Sequence, residues 1–227
     1  MDNMLSDLDC AIAYLDDILL NSQNAEEHKD HVFQVFKRIQ EYGFKVKEAK
    51  CNFFLERIKY LGHIIDKDGR RPDPERSTAI KDMPEPHNVT TLQSFLGLAN
   101  YYQSFIPNMH GLRAPLNDLL KKDKAWDWTP ECQTAFNKIK EMLTSELFLT
   151  HFDPDLPTIV ASDASSYGIG ACLLHKIPDG STKPIAHASR ALLPAEKNYS
   201  QIEKESLSII FAVTKFHRYL HGRKFKL

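Results

Sequence analysis

The chain has 227 residues, 42% hydrophobic and 26% charged, with 29 Lys and Arg against 30 Asp and Glu. That is enough length and apolar content for one or two packed domains, and too even a charge for composition alone to name a nucleic-acid partner. No apolar stretch approaches the roughly 20 residues that cross a bilayer, and the amino terminus lacks the basic-then-apolar order of a secretory leader, so no membrane partner is expected and the expected setting is intracellular, not secreted.

In chain order, the first feature is Ala11 to Leu20, a short apolar run with Asp16 and Asp17 in its middle. Its brevity predicts a buried strand rather than a helix. Buried carboxylates are costly unless paired or bound to a cation, and adjacent ones oppose each other's ionisation, so a divalent metal is one explanation. An Asp-Asp turn between two strands is the other. Asn21 to Asn24 supplies cap and turn residues, and Ala25 to Tyr42 carries Val32, Phe33, Phe36 and Ile39 at helical spacing before Gly43. His28 and His31 on that helix are a possible ligand pair; with no third ligand nearby a solvated face is the preferred reading. Cys51 to Leu55 and Ile58 to Ile65 predict two short strands, with a turn over 66–69. Gly62 marks a bulge in a plain hairpin on that reading. The four cysteines are far apart and read as reduced thiols.

From Arg70, Pro72, Pro74, Pro84 and Pro86 predict a hinge-like linker. Beyond it, Thr90 to Ile106 has a helical stripe, Leu112 to Lys121 a second helix, and Thr129-Pro130-Glu131 starts a third, with Thr capping and Pro in the first turn. Lys121, Lys122 and Lys124 form a small basic patch, either solvated or tracking phosphates. In the last third, Thr158 to Ser165, Gly168 to Leu174 and Pro184 to Ser189 predict three strands, the glycines sitting where the backbone passes closely by Asp163. A long helix over 200–220 places Ile202, Ile209, Val213, Phe216 and Leu220 on one face, with Glu205 along it toward the sheet. Glu205 is either an ion-paired edge residue or a metal ligand partnered with Asp163. His217, Arg218, His221, Arg223, Lys224 and Lys226 make a basic end.

Several of these stretches resemble one family in one order. Tyr14-Leu15-Asp16-Asp17 resembles the Tyr-x-Asp-Asp box of reverse transcriptases in gypsy-type long-terminal-repeat retrotransposons and retroviruses. Tyr60-Leu61-Gly62-His63 resembles the hairpin that grips the primer end. Ser94-Phe95-Leu96-Gly97-Leu98-Ala99-Asn100-Tyr101-Tyr102, continued by Phe105-Ile106-Pro107, resembles the thumb signature, and Trp126-x-Trp128-Thr129 is similar to the family's next stretch. Asp163-Ala164-Ser165, Gly168-Ile169-Gly170-Ala171, Ser189-Arg190 and Tyr199-Ser200-x-x-Glu203-Lys204-Glu205 resemble a ribonuclease H domain.

The resemblance implies an α+β / α/β architecture: the C-terminal part of a polymerase palm over 1–69, a helical thumb or connection over 70–150, and the N-terminal half of a ribonuclease H-like mixed sheet with one long helix over 151–227. It implies catalytic, metal-holding roles for Asp16, Asp17, Asp163 and Glu205, and Mg2+ or Mn2+, two per complete site. It implies nucleic-acid contacts from Tyr14, Tyr60, Leu61, Gly62, His63, Lys121, Lys122, Arg218, Arg223 and Lys224. The implied partners are primer–template duplex, RNA–DNA hybrid, a deoxynucleoside triphosphate and the rest of a Pol polyprotein, in a cytoplasmic particle or the nucleus. The family's further acids are not matched here, so the expectation is weak metal binding and no activity from this stretch alone. A non-catalytic nucleic-acid-binding or inert domesticated remnant is the alternative.

Overall fold

The computed structural model describes residues 2–122 and 124–227, with side chains from Met4 onward. They form two compact units, 1–56 and 57–227. Among the described residues no helix is long and apolar enough to cross a membrane.

The first unit holds α1 (Asp2–Leu5), the hairpin β1 (Ala11–Tyr14) and β2 (Asp17–Leu20), and α2 (Ala25–Glu41). Asn24 caps α2 by accepting the Glu27 N–H, and Gly43, at φ 73°, ends it in the left-handed conformation that glycine adopts without penalty. Met4, Leu5, Val35 and Ile39 form the core, closed by Ala11, Ala13, Ile18 and Leu20 of the hairpin. The expected stripe is rotated: Val35 is buried, while Phe33 is 70% exposed. Arg38 stitches the unit with a two-armed bond to Asp7, at 2.9 and 2.8 Å, and a third to the Met4 carbonyl. Residues 51–55, expected as a strand, are irregular, since their apolar run finds no backbone ladder.

The second unit opens with β3 (Arg57–Tyr60), β4 (His63–Asp66) and β5 (Gly69–Pro72), an antiparallel meander. The segment expected as a linker is instead β5 followed by α3 (Pro74–Lys81): Asp73 accepts the Glu75 N–H, and Pro74 takes the first helical position, where its missing N–H costs nothing. Next come α4 (Val89–Tyr101), whose Asn88 and Thr91 make a reciprocal capping box, α5 (Met109–Asp118), and α6 (Pro130–Thr144) with Thr129 as its cap. Their core joins Leu92, Phe95, Leu96, Tyr102, Leu116, Phe136 and Ile139. β6 (Leu149–Thr150) returns the chain to pair with β5 across Gly69, so the ladder crosses the boundary expected at residue 69.

A second sheet comprises β7 (Thr158–Ala164), β8 (Gly168–Lys176), β9 (Thr182–Ala191) and β10 (Phe225–Lys226), ordered β10-β7-β8-β9 with β10 parallel to β7. α7 (Gln201–Lys215) and α8 (His217–Leu220) lie between β9 and β10 in sequence. Val160, Leu173, Ile185, Ala212, Phe216 and Leu220 form its core. The face of α7 that meets the sheet is Lys204, Ser208 and Ala212, whereas Ile202 is 80% exposed. At Ser208 and Ala212 the side chains are small, and Ser208 comes close enough to bond Ser162, at 3.0 Å. Gly170 lies directly across the ladder from Asp163, as expected, while Gly168 serves a close approach to β9: a Cβ there would lie 2.8 Å from the Arg190 carbonyl.

Candidate functional site

Two hairpin tips enter their turns alike, though Gly62 is also left-handed, at φ 70°, and Asp16 is not. Tyr14 pairs with Asp17 and Tyr60 with His63, leaving Leu15-Asp16 and Leu61-Gly62 as two-residue turns. In each the first turn residue is a leucine in the left-handed region, at φ 52° for Leu15 and 46° for Leu61. That conformation costs a non-glycine residue about 1–2 kcal/mol. Such outliers persist where the surrounding structure over-determines them, and here the paired strands on both sides do so.

The first tip is open. Asp16 and Asp17 are both exposed, correcting the expectation of a buried run, and Tyr14 is 52% exposed. Neither carboxylate has a hydrogen-bond or ion-pair partner among the described residues. Two adjacent anions therefore stand with no cation to offset them.

The second tip is tied down. The Tyr101 hydroxyl donates to the Leu61 carbonyl, and that of Tyr102 to the Gly62 carbonyl at 3.0 Å. His63 lies stacked between Tyr101 and Phe105, each 5.4 Å away, with Tyr102 edge-on. Burial, reinforced by Arg70 and Arg76, pushes its pKa down to about 4, so the ring is neutral at physiological pH. A Cβ on Gly62 would sit 2.9 Å from the Arg76 guanidinium. Tyr102 is buried in the core and Tyr101 half-exposed, and the pinning role of their hydroxyls lies outside the sequence reading. The clue was their adjacency, since neighbouring residues of one helix cannot both face inward.

The third locus lies where α7 crosses β7. The Gln201 side-chain amide donates to the Ala164 carbonyl at 3.1 Å and to the Glu205 carboxylate at 2.7 Å. Ser208, one turn further, bonds Ser162. Glu205 on the helix and Asp163 on the strand are thus bracketed by two cross-links. Ser162 and Ala164 take the helix-facing side of β7 and leave Asp163, by strand alternation, on the exposed side. Ser200 and Glu203 make a capping box, which occupies Glu203 structurally. Gln201 was not foreseen; a polar residue four before Glu205 was the available signal.

Among the described residues, no three His, Cys, Asp or Glu side chains gather as a ligand set. In kind the adjacent Asp16 and Asp17 suit a hard divalent cation, two carboxylates without a competing Lys or Arg among the described residues; Asp163 and Glu205 stand on the strand and the helix that cross at the third locus, with no hydrogen bond between them. His28 and His31 instead point their Nδ1 atoms at the Ser22 hydroxyl, at 3.1 and 2.8 Å. Lys122, Arg218, Arg223 and Lys224 are exposed, with Arg223 also over the Phe152 ring, and Lys121 is bonded to Asp118 at 2.6 Å.

A strained acidic hairpin, a pinned second hairpin, a helical segment and a four-stranded sheet carrying an acid on its central strand together define an α+β segment of the reverse transcriptase and ribonuclease H-like type. Residues 1–65 match the family described as reverse transcriptase (RNA-dependent DNA polymerase), and residues 128–227 the RNase H-like domain found in reverse transcriptase. The Transposon Tf2-3 and Tf2-7 polyproteins of Schizosaccharomyces pombe are 36% and 35% identical over 211 residues, 93% of this chain and 16% of theirs. This chain therefore spans about a sixth of the length of the curated relatives it matches. Two solved structures of the foamy viral protease-reverse transcriptase, one with double-stranded DNA and one with RNA/DNA hybrid, superpose over 99% of this chain at TM-scores of 0.85 and 0.84 and 26% identity, the chain covering 39% and 30% of them. The chain belongs to the Pol polyprotein family of gypsy-type long-terminal-repeat retrotransposons and carries its reverse transcriptase and ribonuclease H-like segments.

Proposed function

We propose that this stretch serves RNA-directed DNA synthesis and RNA removal from hybrids, as part of a polymerase and ribonuclease H polyprotein. The observation that carries the reading is the open Tyr14–Asp17 tip, which exposes two uncompensated carboxylates on a strained turn. Asp16 and Asp17 would hold one side of a divalent-cation site at the primer end, and Asp163 and Glu205, from the strand and the helix that cross there, would each lend a carboxylate to a second. Bound there, Mg2+ or Mn2+ supplies stabilisation of the attacking and leaving oxygens of phosphoryl transfer.

The chain's own residues do the rest. Gln201 fixes the Glu205 carboxylate by hydrogen bond, limiting the orientations it must lose on binding. The Tyr60–His63 tip, held by two tyrosine hydroxyls, offers a rigid edge against which a primer strand can lie. Lys122, Arg218, Arg223 and Lys224 offer charge to the phosphates of a duplex or hybrid, and a deoxynucleoside triphosphate is the second substrate of the polymerase reaction.

The test is separation of function, with the stretch embedded in a full polymerase and ribonuclease H polyprotein. Asp16→Asn with Asp17→Asn abolishes primer extension and spares hybrid cleavage; Asp163→Asn or Glu205→Gln does the reverse. Loss of both activities from either change in a folded protein, or of neither, contradicts the assignment.

A further inference from the structure

Arg113 of α5 is half-buried and has no carboxylate partner among the described residues. Its Nε donates to the Asn117 side-chain oxygen at 3.2 Å and its Nη1 to that of Asn100 at 3.4 Å, two neutral acceptors. A guanidinium taken partly out of water ordinarily finds an anion, and its planar fork suits carboxylate or phosphate. Burial lowers the Arg113 pKa from its ordinary value, the sign of a cation without compensation.

Arg113 is not alone. Helical spacing carries His110, Arg113 and Asn117 along one side of α5, and Lys121 extends that line past its end, while Leu116 and Leu119 of the same segment are buried in the core. Lys197, exposed on the turn after β9, lies near enough to lower the pKa of both His110 and Asp118. Lys124 acts on Asp118 as well. Asp118 thus stands among Lys121, Lys124 and Lys197, bonded to the first of them. Lys121 lies in the turn past the end of α5 at Asp118, and from Arg113 to that end the helix rise is about 7.5 Å. That is the axial span of about two phosphates of one strand.

We infer that this side of α5, with Lys197 beside it, is a track for the phosphate backbone of one nucleic-acid strand, Arg113 and Lys197 taking one phosphate and Lys121 another. The linear order of the cations favours a polyanion over a single bound phosphate. The inference rests on the proposed nucleic-acid partner.

Fluorescence anisotropy of a labelled RNA–DNA hybrid, titrated with the whole chain across a salt series, tests it. Arg113→Gln and Lys197→Gln, which share one phosphate, should each lower the slope of log affinity against log salt, and together by about 0.9. Lys121→Gln should also lower it, Arg113→Lys should keep the slope, and Lys183→Gln, at the far end of β9, should leave it unchanged. Lys197 sits on an exposed turn, so its variant carries the test if Arg113→Gln unfolds. Wild-type slopes in both the Arg113→Gln and Lys197→Gln proteins overturn the track while leaving the nucleic-acid reading intact. If only those two variants lower the slope and inorganic phosphate displaces the hybrid, the site takes a single anion and the track is likewise overturned. A wild-type chain with no hybrid affinity at low salt sinks the nucleic-acid reading together with this one.

Discussion

His63 makes acid a specific threat to the second unit. In the folded chain its pKa is about 4, against 6.5 when solvated, because burial comes first and Arg70 and Arg76 add repulsion. Between those values the unfolded chain binds a proton that the folded chain refuses, so stability is full above about pH 6.5 and is lost as pH falls toward 4. From about pH 7.5 to about pH 5 the loss from this one ring is about 2 kcal/mol. His110 and His187 are also lowered, chiefly by burial, and act in the same direction, so the raw pH dependence does not isolate His63. Comparison with His63→Phe does, since phenylalanine keeps a ring between Tyr101 and Phe105 and cannot titrate. Denaturant midpoints at the two pH values, followed by the fluorescence of Trp126 and Trp128 in the same unit, should show the wild-type drop exceeding that of the variant by about 2 kcal/mol. Equal drops, or a larger one in the variant, would refute the claim that the packed rings hold His63 neutral.

Single positions carry further consequences. Gly168→Ala forces a Cβ to within 2.8 Å of the Arg190 carbonyl and should cost about 1–3 kcal/mol by thermal or chemical melts, while Gly170→Ala, whose Cβ clears Ala188 by 3.9 Å, should cost less. Leu15→Gly relieves a left-handed leucine at φ 52° and should be neutral or stabilising by under about 1 kcal/mol, whereas Leu15→Val should destabilise; urea midpoints decide. Ser200→Ala removes the α7 capping box and should cost about 1 kcal/mol. Gln201→Leu should reduce hybrid cleavage with primer extension unchanged, measured in the full polyprotein, because its amide holds Glu205 and lies far in sequence from the acidic hairpin.

Local signals carried much of the fold. Thr129-Pro130 starts α6 and Ser200 starts α7 because capping chemistry is written in a few adjacent residues. What misled was apolarity without a partner. Ile202 and Ile209 form a stripe on α7, yet Ser208 and Ala212 face the sheet, because a close Ser208–Ser162 contact selects small side chains there. Phe33 and Val35 exchanged places in the same way on α2. Pro72 and Pro74 read as a linker, though Asp73-Pro74 is equally a helix start. At the candidate site, Tyr14–Asp17 and Asp163 with Glu205 were legible as residue types in order. The open tip, the tyrosine pins and the Gln201 bridge were not, since each joins segments distant in sequence or depends on which side of a strand meets solvent.

Whether the two acid pairs gather divalent cations is decided by Mn2+-induced broadening of backbone amide resonances. Two foci are expected, one on residues 15–18 and one on 162–164 with 204–206, the first abolished by Asp16→Asn with Asp17→Asn and the second by Asp163→Asn. Broadening centred on His28 and His31, or foci indifferent to those substitutions, would contradict the proposed metal sites.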